Sequence, residues 1–508
     1  MEQFTWSLLI YSTIIMLSFL LLHRLSRRIS TAARLPPGPP GWPVFGNMFD
    51  LGSTPHRTLA ELKKRYGPVV WLRLGCKNTV AVLTAAAAEE LFKACDQSFV
   101  DRTVHAVMSS HDYHKGSVAL AQYGGYWRAT RRVCAAEMLI GARINETVAI
   151  RKRCVEDLLA WIHKEARGPP EARALHVAKF LFLASFNMMG NMVFSCDLAD
   201  PQSREGSEFF SGMKTFMQLT GRPNIADLFP WLGQVDPTGL RRKVDRELGK
   251  ILSIASKFVR ERVEEKEKGT ERRHEDFLDV LLGFKGSGKD EPEKLSEGQI
   301  SILILEMFLA GTDTTSNTIE WAMAELLRHP EAMANLKAEL ARVIGTSRRM
   351  EESDIDRLPY LQAVAKETLR LHPPLPLLIP RKAVRDTQFM GYHIPSSTQV
   401  FVNVWAIGRD PDCWTDPLRF KPERFFGLDV DYKGQHFELI PFGAGRRMCA
   451  GLGLGHRVLH LLLGSLIHEF DWELGVGVSR DTMDMRERIG VAVGKLEPLL
   501  VIPRAKIL

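Results

Sequence analysis

One cysteine stands in a setting that suits chemistry: Phe442-Gly443-Ala444-Gly445-Arg446-Arg447-Met448-Cys449-Ala450-Gly451. An aromatic lies seven residues before the sulfur, glycines lie four before and two after it, and an apolar run from Leu452 to Leu466 follows. Leucines at helical spacing in that run put Cys449 just ahead of a helix N-terminus. Backbone N–H groups and the dipole end there favour a thiolate over a thiol. Gly445 and Gly451 let the backbone approach something large and flat that a Cβ would obstruct. Arg447 offers a fixed cationic fork for carboxylates.

An anionic sulfur, room for a planar group and an arginine for acid groups together describe a haem held by cysteine thiolate. A buried structural cysteine is the commoner fate of a free thiol. The five fixed positions of F-x-x-G-x-R-x-C-x-G weigh against that alternative. Zinc fits poorly, because no second Cys or His stands at ligand spacing.

Such a site needs an element that crosses the domain beside it. Ser296 to Arg328 is the longest helical pattern, opened by the Ser296/Gln299 capping box and closed by His329-Pro330. Its centre, Ala310-Gly311-Thr312-Asp313-Thr314-Thr315, is costly by helix propensity. Hydroxyls that bond back to carbonyls can open a helix locally, leaving an oxygen pocket with a hydroxyl and a carboxylate beside it. Glu306, amid Ile304, Leu305, Met307 and Phe308, either bonds internally or meets a substrate, and buried acids are usually paired. Trp127 and Arg131, four apart, share a helix face, and Glu367 and Arg370 sit at i and i+3 of another helix. Pro373 to Arg381 is too proline-rich for helix, and Val69–Leu74 with Thr79–Leu83 read as a small strand pair.

Composition sets the outer limits. With 508 residues, 45% hydrophobic content and no linker-like stretch after Pro36, the chain reads as one large domain rather than a polytopic membrane protein. Seven scattered cysteines suit a reducing compartment, and a net charge of +7 gives no basic block for nucleic acid. Phe4 to Leu22 is apolar enough to span a bilayer, and Arg24, Arg27, Arg28 and Arg34 follow it, which leaves the body cytosolic. The expected division is therefore a 1–23 membrane anchor, a 24–41 basic and proline-rich linker containing Pro36-Pro37-Gly38-Pro39-Pro40-Gly41, and a 42–508 catalytic domain.

On these stretches, with Phe420-Lys421-Pro422-Glu423-Arg424-Phe425, the chain from about Leu35 onward resembles the cytochrome P-450 haem-thiolate monooxygenases. The likeness is to the plant microsomal type, near the terpenoid oxidases exemplified by geraniol 8-hydroxylase. It implies a mainly α fold with a small β portion, haem b buried between the central helix and the Cys-loop helix, and one N-terminal transmembrane helix in the endoplasmic reticulum. Cys449 would be the axial iron ligand. Trp127, Arg131, Arg381 and Arg447, with Arg102 as a weaker candidate, would meet the propionates, and Phe442, Gly445 and Gly451 would shape the loop. Thr314 would hand protons to dioxygen, and Asp313 would connect it to solvent. Glu367, Arg370 and Arg424 would form a buried network that fixes the Cys loop.

The resemblance places Ile304, Glu306, Phe308, Ala310, Leu377, Leu378, Ile379, Ile489 and Val491 around the substrate cavity, and a lid over about 209–231. Electrons would come from NADPH through a separate flavoprotein reductase, docked on Arg128, Arg132 and Arg446. The other partners are O2, membrane lipid and a small hydrophobic plant metabolite, foremost a neutral terpenoid to be hydroxylated. An alkaloid or phenolic, with an amine paired to Glu306, is the alternative. A reductase-independent haem-thiolate isomerase and a non-enzymatic haem sensor are the more distant ones.

Overall fold

A single helix, Glu297–Arg328, runs through the middle of the molecule and begins with both reciprocal hydrogen bonds of the Ser296/Gln299 box. At 1.5 Å per residue it is about 48 Å long. The mid-helix hydroxyls bond back as their types dictate: Thr312 to Phe308 O at 2.7 Å, Thr314 to Ala310 O at 2.6 Å, Thr318 to Thr314 O at 2.7 Å. The expected local opening is absent, because these bonds are added to a ladder that stays helical throughout. The computed structural model describes residues 34–167, 174–198, 204–233, 235–269 and 276–506. The 1–23 anchor and linker residues 24–33 lie outside the described residues.

Around the central helix pack Val177–Phe194, Leu240–Glu267 and the Cys-loop helix Leu452–Glu469, and the lid helix Arg204–Thr220 packs on Leu240–Glu267. Val177–Phe194 is apolar enough by composition to cross a membrane, but most of it is buried against the core. Its contact with the central helix explains Gly311: a Cβ there would stand 2.4 Å from Met189 Sδ. Phe308 meets Phe186, Phe209 and Phe194 with ring centroids 5.0, 5.1 and 5.9 Å apart. That aromatic cluster fastens the start of the lid helix to the core.

The described strands are β1 (Val69–Leu74), β2 (Lys77–Val82), β3 (Asp101–Arg102), β4 (Leu175–His176), β5 (Arg381–Lys382) and β6 (Thr387–Phe389). They continue with β7 (Tyr392–Ile394), β8 (Gln399–Val402), β9 (Phe470–Leu474), β10 (Glu487–Arg488), β11 (Gly494–Lys495) and β12 (Leu500–Ala505). One sheet has the order β1-β2-β8-β5-β3, with β2 and β8 parallel; a second has the order β4-β12-β9. The hairpins β6-β7 and β10-β11 stand apart. The proline-rich segment does not stand free of the body: Trp71 N–H donates to Pro37 O at 2.8 Å, and Gly38 has no room for a Cβ against Trp71 O.

The Glu367 network is buried. Arg370 bonds both oxygens of Glu367, at 2.7 and 2.8 Å, and Arg424 Nε adds a third contact at 3.0 Å. Arg370 also donates to Gly408 O and Pro417 O, and Lys421 N–H to Glu367. These bonds hold 408–424, the segment leading toward the Cys loop, rather than the loop itself. Breaking one partner of so desolvated a set typically costs about 3–5 kcal/mol, whereas the intact set contributes little net stability.

Candidate active site

Cys449 follows a turn that its glycines permit. Gly443 and Gly445 have φ of +70° and +69°, a region costly for any side chain, and a Cβ on Gly445 would lie 2.7 Å from Asp96 Oδ1. Cys449 N–H donates to Phe442 O at 3.0 Å, while the Phe442 ring leans on Tyr432 with centroids 5.3 Å apart. Arg131 Nη2 donates to Met448 O at 2.5 Å. Cys449 itself is exposed, so its sulfur is not packed into the core.

The thiol is not activated in the way its place before a helix suggests. Burial pushes its pKa up, against the opposing Gly451 N–H and the Arg131 charge. A coordinated metal would hold such a sulfur as thiolate outright.

Beside this sulfur the structure brings together Arg102, Arg131, Arg381 and Arg447. Arg102, Arg381 and Arg447 are buried, and Arg381, Arg447 and Arg131 are close enough that their charges depress Arg102, whose pKa burial already lowers well below the usual range. Burial first, then Arg381, brings Arg447 down to about 10. Asp96 is the buried carboxylate bonded to this group: it takes Arg381 at 2.6 Å and Arg446 at 3.1 Å. These four guanidiniums and Arg446 outnumber the acids whose charges reach them, Asp96, Asp101 and Glu306, and leave positive charge that a buried site does not tolerate alone. Two further carboxylates would balance it. Cysteine, glycine-lined approach and surplus guanidinium thus fit a haem, with Cys449 as the iron ligand and these arginines facing its acid groups.

Several expectations change in detail. The Trp127 indole N–H donates to Val118 O at 2.9 Å rather than pointing toward an acid group, and the Arg447 guanidinium stacks 4.1 Å over its ring. Arg447 also donates to Val100 O, Val118 O and Ala121 O. Glu306 does not line a cavity. Its oxygens accept from Ser117 Oγ, Val118 N and Ala119 N at 2.5, 2.6 and 2.9 Å. Burial raises its pKa against those bonds and the Arg447 charge. Ile304 and Phe308 are likewise fully buried, on the side facing the aromatic cluster.

The helix stripe that remains open is Met307, Ala310 and Thr314, at i, i+3 and i+7; Ala310 is exposed and the other two half-buried. Leu377, Leu378 and Ile379 are half-buried, with Leu378 in a left-handed conformation (φ +52°) beside Gly443. Exposed Ile489 and half-buried Val491 sit on the loop between β10 and β11, where Gly490 meets Gly221 at the end of the lid helix. Arg128, Arg132 and Arg446 already have acidic neighbours, Asp290, Glu291 and Asp96. Sequence reasoning missed Asp96, Met307 and Gly221. Only the apolar spacing from Ala310 could have flagged Met307; the other two have no local signal.

A profile of the Cytochrome P450 family matches residues 36–500, and the chain belongs to that family. Its members are oxygen-incorporating oxidoreductases that carry haem, so the class of reaction is set. Cytochrome P450 76A2 of Solanum melongena is 53% identical over 99% of both chains. Iridoid oxidase of Catharanthus roseus is 49% identical, covering 96% of this chain and 95% of its own. Geraniol 8-hydroxylase of Swertia mussotii is 42% identical, covering 92% and 93%. A zebra fish cytochrome P450 structure with progesterone superposes with a TM-score of 0.74 at 27% identity, over 89% of this chain and 99% of that one.

Replacing Cys449 with alanine removes the sulfur without adding bulk. Cys449→Ala is expected to abolish the red-shifted Soret band of the reduced, carbon-monoxide-treated protein. Retention of that band would reassign the ligand.

Proposed function

We propose that this protein is an NADPH- and O2-dependent monooxygenase that hydroxylates a small, neutral terpenoid at a membrane. The observation that carries the substrate class is Glu306. Buried and already bonded to Ser117, Val118 and Ala119, it is committed to that segment rather than presented to an amine. The open stripe then offers Met307, Ala310 and the Thr314 hydroxyl, and the facing segments add Leu377, Leu378, Ile379, Ile489 and Val491. Such surfaces bind by excluding water, at roughly 25 cal/mol per Å² of apolar area. They fix no ionic group. The names of the iridoid and geraniol oxidases support the same class.

The haem, b type in this reading, supplies oxygen activation once reduced, and a separate flavoprotein reductase delivers the electrons. The chain's own part is to hold the cofactor's acid groups on arginine, exclude water from the open stripe, and offer protons through Thr314 and Asp313. A peroxide isomerase has no use for that acid and hydroxyl, which weighs against it.

Geraniol is expected to give a substrate-induced spectral shift and, with reductase and NADPH, a hydroxylated product. Benzylisoquinoline amines are expected to give neither. Tight amine binding that disappears in Glu306→Gln, with no response to terpenols, would replace the terpenoid reading with the alkaloid one.

The membrane reading rests on the Phe4–Leu22 run and on a surface patch. Trp42, Phe49 and Trp231 are 61, 62 and 61% exposed, and the rings of Phe49, Phe45, Phe229 and Trp231 touch in that order. Aromatics of this kind settle at a lipid interface. Deleting residues 1–28 is expected to release most of the protein from endoplasmic reticulum membranes with its carbon-monoxide spectrum unchanged. A catalytic domain protected from protease inside sealed vesicles would overturn this topology.

A further inference from the structure

A file of polar side chains leaves the oxygen side of the central helix on a face the aromatic cluster does not use. Asp313, Asn317 and Glu320 follow one another at spacings of four and three residues, one stripe of the helix. Opposite them lie the β10–β11 hairpin and the entry to β12. Ala492 N–H and the Asn317 amide approach the Asp313 carboxylate, and Arg488 adds its charge. Glu320 is buried, accepts Leu499 N–H at 2.9 Å, and has His176 Nε2 3.7 Å from the same oxygen. His176, on β4, is 40% exposed, so the file begins at solvent and ends next to Thr314.

Asn317 joins the two acids. It is buried, Gly494 opposite it has no room for a Cβ (2.5 Å to Asn317 Oδ1), and its Nδ2 completes no hydrogen bond among the described residues. A buried amide donor left over between two carboxyls is a place where water completes the bonding. The 3.7 Å step from His176 to Glu320 has the same character.

We propose that Asn317, Glu320 and His176 form the route by which protons travel from solvent to Asp313 and Thr314. It rests on the oxygen chemistry of the family and not on the terpenoid substrate. Each hydroxylation, RH + O2 + 2 e⁻ + 2 H⁺ → ROH + H2O, draws its electrons from NADPH and its protons from water. His176 gives a proton to Glu320, Glu320 passes one to the water held by Asn317, and that water protonates Asp313. Every donor is refilled from the solvent side, so no net charge is left inside.

The surroundings suit the task. Burial raises the Asp313 and Glu320 carboxyls towards the neutral form, so each can hold a proton and release it. Lys495 and Arg488 restrain the rise at Glu320, and the Asp313 charge adds to it. His176 is lowered by burial and by Lys214, Lys179 and Arg488, so it does not keep the proton it takes up.

The test uses haem-loaded protein with reductase and NADPH but no organic substrate, where O2 + 2 e⁻ + 2 H⁺ gives H2O2. Its outcome is therefore independent of the substrate assignment. Glu320→Gln and His176→Gln are expected to slow NADPH oxidation by less than the roughly 100-fold that loss of an acid at the reacting atoms costs, and to enlarge the solvent hydrogen isotope effect. Asp313→Asn combined with Glu320→Gln should be no slower than Asp313→Asn alone, because both lie on one route. Glu320→Asp should recover part of the rate. Infrared spectra of the resting protein should show a protonated-carboxyl band that shifts in D2O and is missing in Glu320→Gln. Parent-like rates and isotope effects in both Glu320→Gln and His176→Gln would overturn the route. Should Glu320→Gln lose its carbon-monoxide spectrum, surface-placed His176→Gln decides alone.

Discussion

Buried positive charge is the constraint on which this architecture turns. Arg102, Arg381 and Arg447 lie inside the protein with Arg131 beside them, and Asp96 is the buried carboxylate bonded to the group. Guanidiniums cannot shed their protons to escape such a place, so the protein must supply partners. It does so with carbonyls: Ala119 and Ile379 for Arg102, Ala444 for Arg381, Val100, Val118 and Ala121 for Arg447, Met448 for Arg131. Dipoles satisfy the hydrogen bonds without neutralising the charge. The remainder is what two acid groups of a cofactor would take up.

The same bonds explain why distant elements must move together. Glu306 ties the central helix to 117–119, and the Val118 carbonyl in that segment accepts from both Trp127 and Arg447. Arg447 is two residues from Cys449. The helix that carries Thr314 and the loop that carries the sulfur are thereby coupled through one short stretch of backbone. Asp96 makes a second such link, from Arg381 on β5 to Arg446 in the Cys loop. Removing Glu306 therefore threatens the site's geometry even though the residue touches no substrate in this account.

What the sequence reveals divides along the same line. The central helix is legible because its cap is local: Ser296 and Gln299 are three apart, and the structure has both bonds. The Cys loop is legible because its glycines sit at fixed spacing from the sulfur. Gly311 is visible as an anomaly, but its reason, Met189 of another helix, follows no spacing rule. The resemblance assigns Ile304 and Phe308 to the cavity, and their apolarity does not say which side of the helix faces the open space. Trp127 and Arg131 do share a face, yet what each bonds depends on carbonyls from other segments. Asp96 stands 285 residues from its partner Arg381, beyond any pattern read along one strand or helix.

The hold of the arginine group on the acid groups of a haem can be measured directly by comparing how tightly cofactor-free protein takes up haem and haem dimethyl ester, whose acid groups are blocked. At about 1.5–3 kcal/mol for each charged group's hydrogen bonding, the ester should bind roughly 100-fold more weakly or worse. The difference should shrink in Arg381→Met and Arg447→Met. Equal affinity for the two cofactors in the unmodified protein would mean that the arginines do not hold those acid groups.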